Sequence, residues 1–205
     1  MNSEELMAKI EQSVLGCEKC RLYKGATNPV PGHGNIRAKV VFVGEAPGFY
    51  EDQEGIPFVG RAGKLLDALL RMVELRRSDV WIGNIIKHRP PENRDPMSDE
   101  VKACSPYLSE QLKIINPKVV VTLGRYALNF FVPTAKISED HGIPQSWNGK
   151  VVFPLYHPAA ALRNPSVEHI LKEDFMKLPK VISGELKPKE DLVRDATDDG
   201  QISLI

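Results

Sequence analysis

The chain has 205 residues, enough for one well-buried domain and too few for two. Lys plus Arg and Asp plus Glu both come to 27, which argues against a protein that coats nucleic acid through bulk charge but leaves room for a local basic face. No run is apolar enough to span a bilayer, and Met1-Asn2-Ser3-Glu4-Glu5 lacks the basic start and apolar run of a secretory signal, so a cytoplasmic (intracellular) location is expected.

Glu4 to Leu15 reads as an amphipathic helix with Leu6, Ile10, Val14 and Leu15 on one side. It delivers Cys17 and Cys20, a Cys-x-x-Cys that in a reducing compartment points to metal or redox chemistry rather than a structural disulfide. The Pro- and Gly-rich stretch from Asn28 to Asn35 forms a surface loop. Lys39 to Val43 is a buried strand that empties into Gly44-Glu45-Ala46-Pro47-Gly48. Ligands of open α/β sheets bind beyond the carboxyl ends of strands, so this turn is a candidate site; taken alone it reads equally well as a plain strand-to-loop turn.

An acidic loop, Glu51 to Gly55, comes next, and then Phe58, which either caps a pocket or fills the core. A helix begins at Arg61 with Leu65, Leu66, Leu69, Leu70 and Val73 on one face, and Asp79 to Gly83 is a second strand running into Asn84 and Lys87-His88-Arg89. Ser98 caps a helix carrying Val101, Cys104, Leu108, Leu112 and Ile115, its first turns strained by Pro106. Lys118 to Leu123 is a third strand, Arg125 to Phe131 a short helix, and Pro133 to Asn148 irregular. Val151 to Tyr156 is a fourth strand in which Pro154 marks an edge or a bulge, and it ends at His157-Pro158. A last helix spans Ser166 to about Ile182. The domain then occupies 1–183, with 184–205 an acidic, solvated tail whose final residues, Gln201 to Ile205, are a frayed end or a short docking motif for a sliding clamp.

Strands alternating with helices give an α/β chain, a three-layer α/β/α sandwich around a mostly parallel four-stranded sheet. Its strands deliver Glu45, Asn84 and His157 to one rim. An acid, an amide and an imidazole there can hold a polar planar ligand.

Four motifs in this order, Gly44-Glu45-Ala46-Pro47-Gly48, Phe58-Val59-Gly60, Asn84-Ile85-Ile86-Lys87 and His157-Pro158-Ala159-Ala160-Ala161-Leu162, resemble the family 4 (iron-sulfur) uracil-DNA glycosylases of the uracil-DNA glycosylase superfamily. The resemblance covers about Cys17 to Ile182. It implies a monomeric enzyme that flips uracil out of single- or double-stranded DNA and hydrolyses its glycosidic bond in base excision repair. Phe58 would stack on the base, Asn84 read its edge, His157 aim a donor at O2, and backbone N–H groups of Gly44, Ala46 and Gly48 complete the pocket. The bland alternative for Asn84 is a turn cap, and for Leu162 ordinary core.

The resemblance further implies that Ala161, Leu162 and Arg163 enter the duplex, with Leu162 as wedge; Arg61, Lys64, Lys87, Arg89, Arg94 and Arg163 lie in or near the expected rim loops, where they can contact phosphates and give a local positive face. It implies a 4Fe-4S cluster on Cys17, Cys20 and Cys104, with His88 where a fourth cysteine is usual. Cys3His ligation is the reading adopted; a Cys3His zinc site, or a three-cysteine cluster with His88 free, are the alternatives. Two departures stand out: Ala46 and Gly48 occupy places where the most efficient uracil-DNA glycosylases carry a water-positioning Asp and a thymine-excluding Tyr. Glu45 is then the candidate catalytic carboxylate, and thymine exclusion falls to Phe49, Tyr50 or Glu51. Competing functions are a uracil-DNA-crosslinking protein of the same superfamily, whose basic insertion is missing at 90–96, and a non-catalytic metal-containing DNA-binding module.

Overall fold

The computed structural model describes residues 1–189, so the clamp-docking segment Gln201 to Ile205 lies outside the described residues. In chain order the elements are α1 (Ser3–Leu15), β1 (His33–Gly34), β2 (Val40–Gly44), α2 (Phe49–Glu54), α3 (Arg61–Met72), β3 (Trp81–Asn84), α4 (Ser98–Ile115), β4 (Val119–Leu123), α5 (Arg125–Phe131), α6 (Ile137–Asp140), β5 (Gln145–Trp147), β6 (Lys150–Leu155), α7 (Pro158–Ala161), α8 (Pro165–Phe175) and α9 (Leu178–Ser183).

The sheet order is β1-β3-β2-β4-β6-β5. Its four central strands are mutually parallel, as expected. Two antiparallel edge strands, β1 and β5, raise the total from the expected four to six. The sheet's alternating side chains feed two cores. Val41, Val43, Val120 and Val152 pack under α1, α4 and α5, while Phe42, Val121, Phe153 and Leu155 pack under α3, α8 and α9. The three-layer sandwich follows from that alternation.

Several local expectations are corrected. The acidic stretch at Glu51 is helix α2, not loop, closed by Gly55 in the left-handed region at φ 69°. Met97, not Ser98, is the N-cap of α4, its N–H donating to Glu100 Oε2 at 2.9 Å. Met7 and Val14 are the buried residues of α1, while Leu15 is exposed. The last helix breaks into α8 and α9, because Pro179 has no N–H to offer Phe175 and the helix cannot run through it. β5 and β6 form a hairpin across Asn148-Gly149, both at positive φ, inside and just beyond the segment expected to be irregular. The β5–β6 pairing stops at Gln145–Val152, Gln145 being the first residue of β5, before it reaches Pro154, so no strand asks for that proline's missing N–H on that side.

The chain continues against the domain past residue 184. Leu186 packs on the α3 side, and the Lys189 N–H donates to the Pro144 carbonyl at 2.9 Å.

Candidate active site

All four parallel strands end at the same rim. Gly44 closes β2 directly opposite Asn84, which closes β3, and β6 runs from Leu155, level with Leu123, into His157. Glu45, Asn84 and His157 thus share one edge, as their strand ends required.

Gly44 is the floor. A Cβ on it would lie 2.4 Å from Asn84 Oδ1 and 2.7 Å from Phe58 Cζ, so the absent side chain keeps the amide and the ring close together. Asn84 is buried, and its Oδ1 has no hydrogen-bond partner. An orphaned buried acceptor is costly in a resting protein and invites a ligand donor.

Phe58 makes the facing wall. It sits in the left-handed region at φ 55°, strained for an aromatic residue, and its surroundings over-determine it. Arg77 donates to the Phe58 carbonyl at 2.9 Å and also reaches the Pro57 carbonyl, while Asp67 fixes the guanidinium at 3.0 Å. Glu51 Oε1 accepts from the N–H groups of Val59 and Gly60, each at 2.9 Å. Gly63 lets the first turn of α3 press against the Phe58 carbonyl, where a Cβ would fall 1.7 Å away. Sequence reasoning missed Arg77 and gave Glu51 no such role; neither lies in a motif that signals a clamp.

His157 caps α7. Its Nδ1 accepts the Ala159 N–H at 3.0 Å, which places the proton of the neutral ring on Nε2. Burial pushes its pKa down to about 4, with the Glu51 carboxylate opposing and the Arg163 cation reinforcing. The imidazole is therefore neutral at pH 7 and can still donate through Nε2. Its ring centroid lies 5.7 Å from that of Phe58, tilted by 31°.

Glu45 is half-buried. Burial first, then the Asp95 carboxylate, push its pKa up to about 7, and the Arg125 guanidinium acts in the other direction. Arg125 is itself paired to Asp95 at 2.9 Å, and the Tyr126 hydroxyl also donates to Asp95.

The expected DNA-facing residues divide. Arg61, Lys64, Leu162 and Arg163 are exposed and Arg89 is half-buried; among the described residues none of the four cations is in an ion pair. Lys87 is a correction. The loop containing Val30 and Pro31 folds over it, and its ammonium is wholly buried, donating to the carbonyls of Pro31 (3.1 Å) and Asn84 (2.9 Å) and to Gln111 Oε1 (2.8 Å). It cannot reach a phosphate. Ala161 is also buried, packed on the α3 side, so only Leu162 and Arg163, just past the end of α7, face outward. Arg94 is committed to the buried Glu100, at 2.6 Å and 2.9 Å.

Cys17, Cys20 and Cys104 are free thiols on the α1–α4 side, and their charges act on one another. The Lys87 N–H donates to Cys104 Sγ at 3.1 Å, an N–H···S contact of the kind that tunes cluster sulfurs. His88, the next residue, is buried. Among the described residues no three His, Cys, Asp or Glu side chains converge as a single ion requires.

Sequence comparison agrees with this geometry. The profile of the Uracil DNA glycosylase superfamily matches residues 31–178. A Type-4 uracil-DNA glycosylase of Sulfurisphaera tokodaii is 48% identical over 182 residues, covering 84% of this chain and 83% of the relative. That of Saccharolobus solfataricus is 43% identical over 202 residues, covering 94% of each. That of Thermotoga maritima is 48% identical over 187 residues, covering 89% of this chain and 97% of its own. With the rim, the orphaned amide and the neutral histidine in place, the chain belongs to the type-4 uracil-DNA glycosylases of that superfamily.

Proposed function

We propose that this protein excises uracil from DNA by hydrolysing its N-glycosidic bond, leaving an abasic site for base excision repair. The observation that carries the reading is the buried, unpartnered Oδ1 of Asn84 beside the Phe58 ring. Uracil has a donor at N3 and an acceptor at O4, and the Asn84 amide offers their complements. Cytosine reverses that pattern, and each mispaired buried group costs about 1–3 kcal/mol. Phe58 stacks on the extruded base, which must leave the duplex to be reached.

Chemistry then requires the C1′–N1 bond to break with its electron pair going to uracil. The neutral His157 donates its Nε2–H to O2, where the anionic charge collects. Water adds its oxygen to C1′ and gives a proton to the Glu45 carboxylate, while the uracil anion later takes a proton from solvent. Because Glu45 must be ionised, activity should rise with pH through about 7, and Asp95→Asn should move that rise to lower pH by removing a like charge. A pH–rate profile for the two proteins checks this; identical limbs would exclude Glu45 as the titrating group. The opposite sign applies to stability. A carboxyl whose folded pKa is raised favours the fold while protonated, and that contribution disappears as pH climbs to 7, so Glu45→Gln should unfold later than the parent at pH 8.

Cys17, Cys20, Cys104 and His88 would hold a 4Fe-4S cluster. Bound there, the cluster would supply a structural tie between the segment after α1 and the rim. His88→Cys should retain the visible absorbance and iron content, and His88→Ala should lower both. Equal iron occupancy in His88→Ala and the parent would exclude ligation by His88. Uracil-containing DNA is the partner, with Leu162 as the wedge, Arg61, Lys64, Arg89 and Arg163 on phosphates, and an intracellular monomer as the acting form.

The reading is tested by incubating the protein with uracil-containing oligonucleotides and cleaving abasic sites with alkali. Absence of abasic sites under all conditions would reject it, and a stable protein–DNA adduct on a denaturing gel would favour crosslinking instead.

A further inference from the structure

The rim carries an apolar surface that the chemistry above leaves idle. Phe49 and Tyr50 open α2, are 51% and 57% exposed, and meet edge to face with ring centroids 5.4 Å apart. Large rings left in water side by side are unusual unless something covers them. Their position says what could. Gly48 of the site turn immediately precedes them, and Tyr50 Cδ2 lies 3.1 Å from where a Cβ on Gly60 would stand, against the loop that carries Phe58. Glu51 of the same helix holds that loop. On the other side the Arg89 guanidinium lies over the Phe49 ring, 5.2 Å from its centroid.

We propose that Phe49 and Tyr50 form a stacking platform for the nucleobase adjacent to the flipped uracil on the same strand, with Arg89 placing a cation for the intervening phosphate. The proposal rests on the uracil-excision reading and names a further part of its substrate. Extruding one nucleotide strips its neighbour of a stacking face, and an aromatic surface at the pocket mouth replaces it irrespective of sequence. In a duplex the complementary strand still holds that neighbour in place. The platform therefore contributes most on single-stranded DNA, where nothing else orders the base.

The test uses single-stranded and duplex oligonucleotides carrying uracil with 2-aminopurine on its 5′ or 3′ side, and the double variant Phe49→Ala/Tyr50→Ala. The parent should quench 2-aminopurine on one side when it binds. The variant should lose the quench and raise KM on single-stranded substrate about tenfold, in keeping with alanine substitution at stacking sites, with kcat within about twofold and a smaller change on duplex. Both positions are exposed, so the fold should tolerate the change, and thermal unfolding checks it. Unchanged quench and KM in an active, folded variant would overturn the platform. A variant that alters only the oligomeric state would assign the rings to a contact between copies and overturn it equally. A parent that binds and quenches yet makes no abasic sites would reject the excision reading and leave the platform standing.

Discussion

His157→Ala is expected to fold, to bind uracil-containing DNA, and to lose about 10²- to 10³-fold in kcat, the usual cost of removing one donor aimed at a developing oxyanion. The geometry separates this donor from an acid. With Nδ1 held by the Ala159 N–H and burial keeping the ring neutral, Nε2 donates without transferring its proton. Uracil suits such a donor because it leaves as a delocalised anion. His157→Gln, which restores a side-chain N–H, should recover part of the loss, and single-turnover rates of the three proteins measure it. A loss that fell entirely on KM would remove His157 from the chemical step.

Asn84→Ala should be the second large effect, lowering kcat/KM by about 10²-fold or more, since two buried hydrogen bonds to the base disappear together. Its stability should move the other way. Oδ1 is unpaired in the free protein, so deleting it removes an unsatisfied buried acceptor, and unfolding should occur at the same temperature or higher. Loss of function together with retained or increased stability distinguishes a binding group from a turn cap, whose removal would destabilise. A marked fall in thermal stability would return Asn84 to the structural role.

Most of the frame was legible in the sequence because it rests on short-range regularities. Apolar runs such as Val40 to Val43 and Val119 to Leu123 are buried on both faces and can only be central strands of a covered sheet. Once four such strands are parallel, their ends share a rim, and Glu45, Asn84 and His157 follow. What escaped depended on contacts between distant segments. The Asn148-Gly149 hairpin is the exception, since its Asn-Gly pair is a local turn signal. Arg77 carried none, since its partners lie in the loop at Pro57 and Phe58 and in α3. Lys87 was misplaced for the same reason: a lysine on a rim segment reads as exposed unless one knows that the loop at Pro31 folds over it.

That lysine has a consequence for how the protein fails. Its N–H ends on Cys104 Sγ and its ammonium on the Asn84 backbone carbonyl, so a single residue bridges the cysteine-bearing helix and the end of β3. Oxidation or displacement of Cys104 removes the acceptor of the Lys87 N–H, and with it one of the contacts through which this residue joins α4 to the end of β3. The architecture thereby ties the rim at Asn84 to a cysteine on α4 through the two ends of one buried lysine.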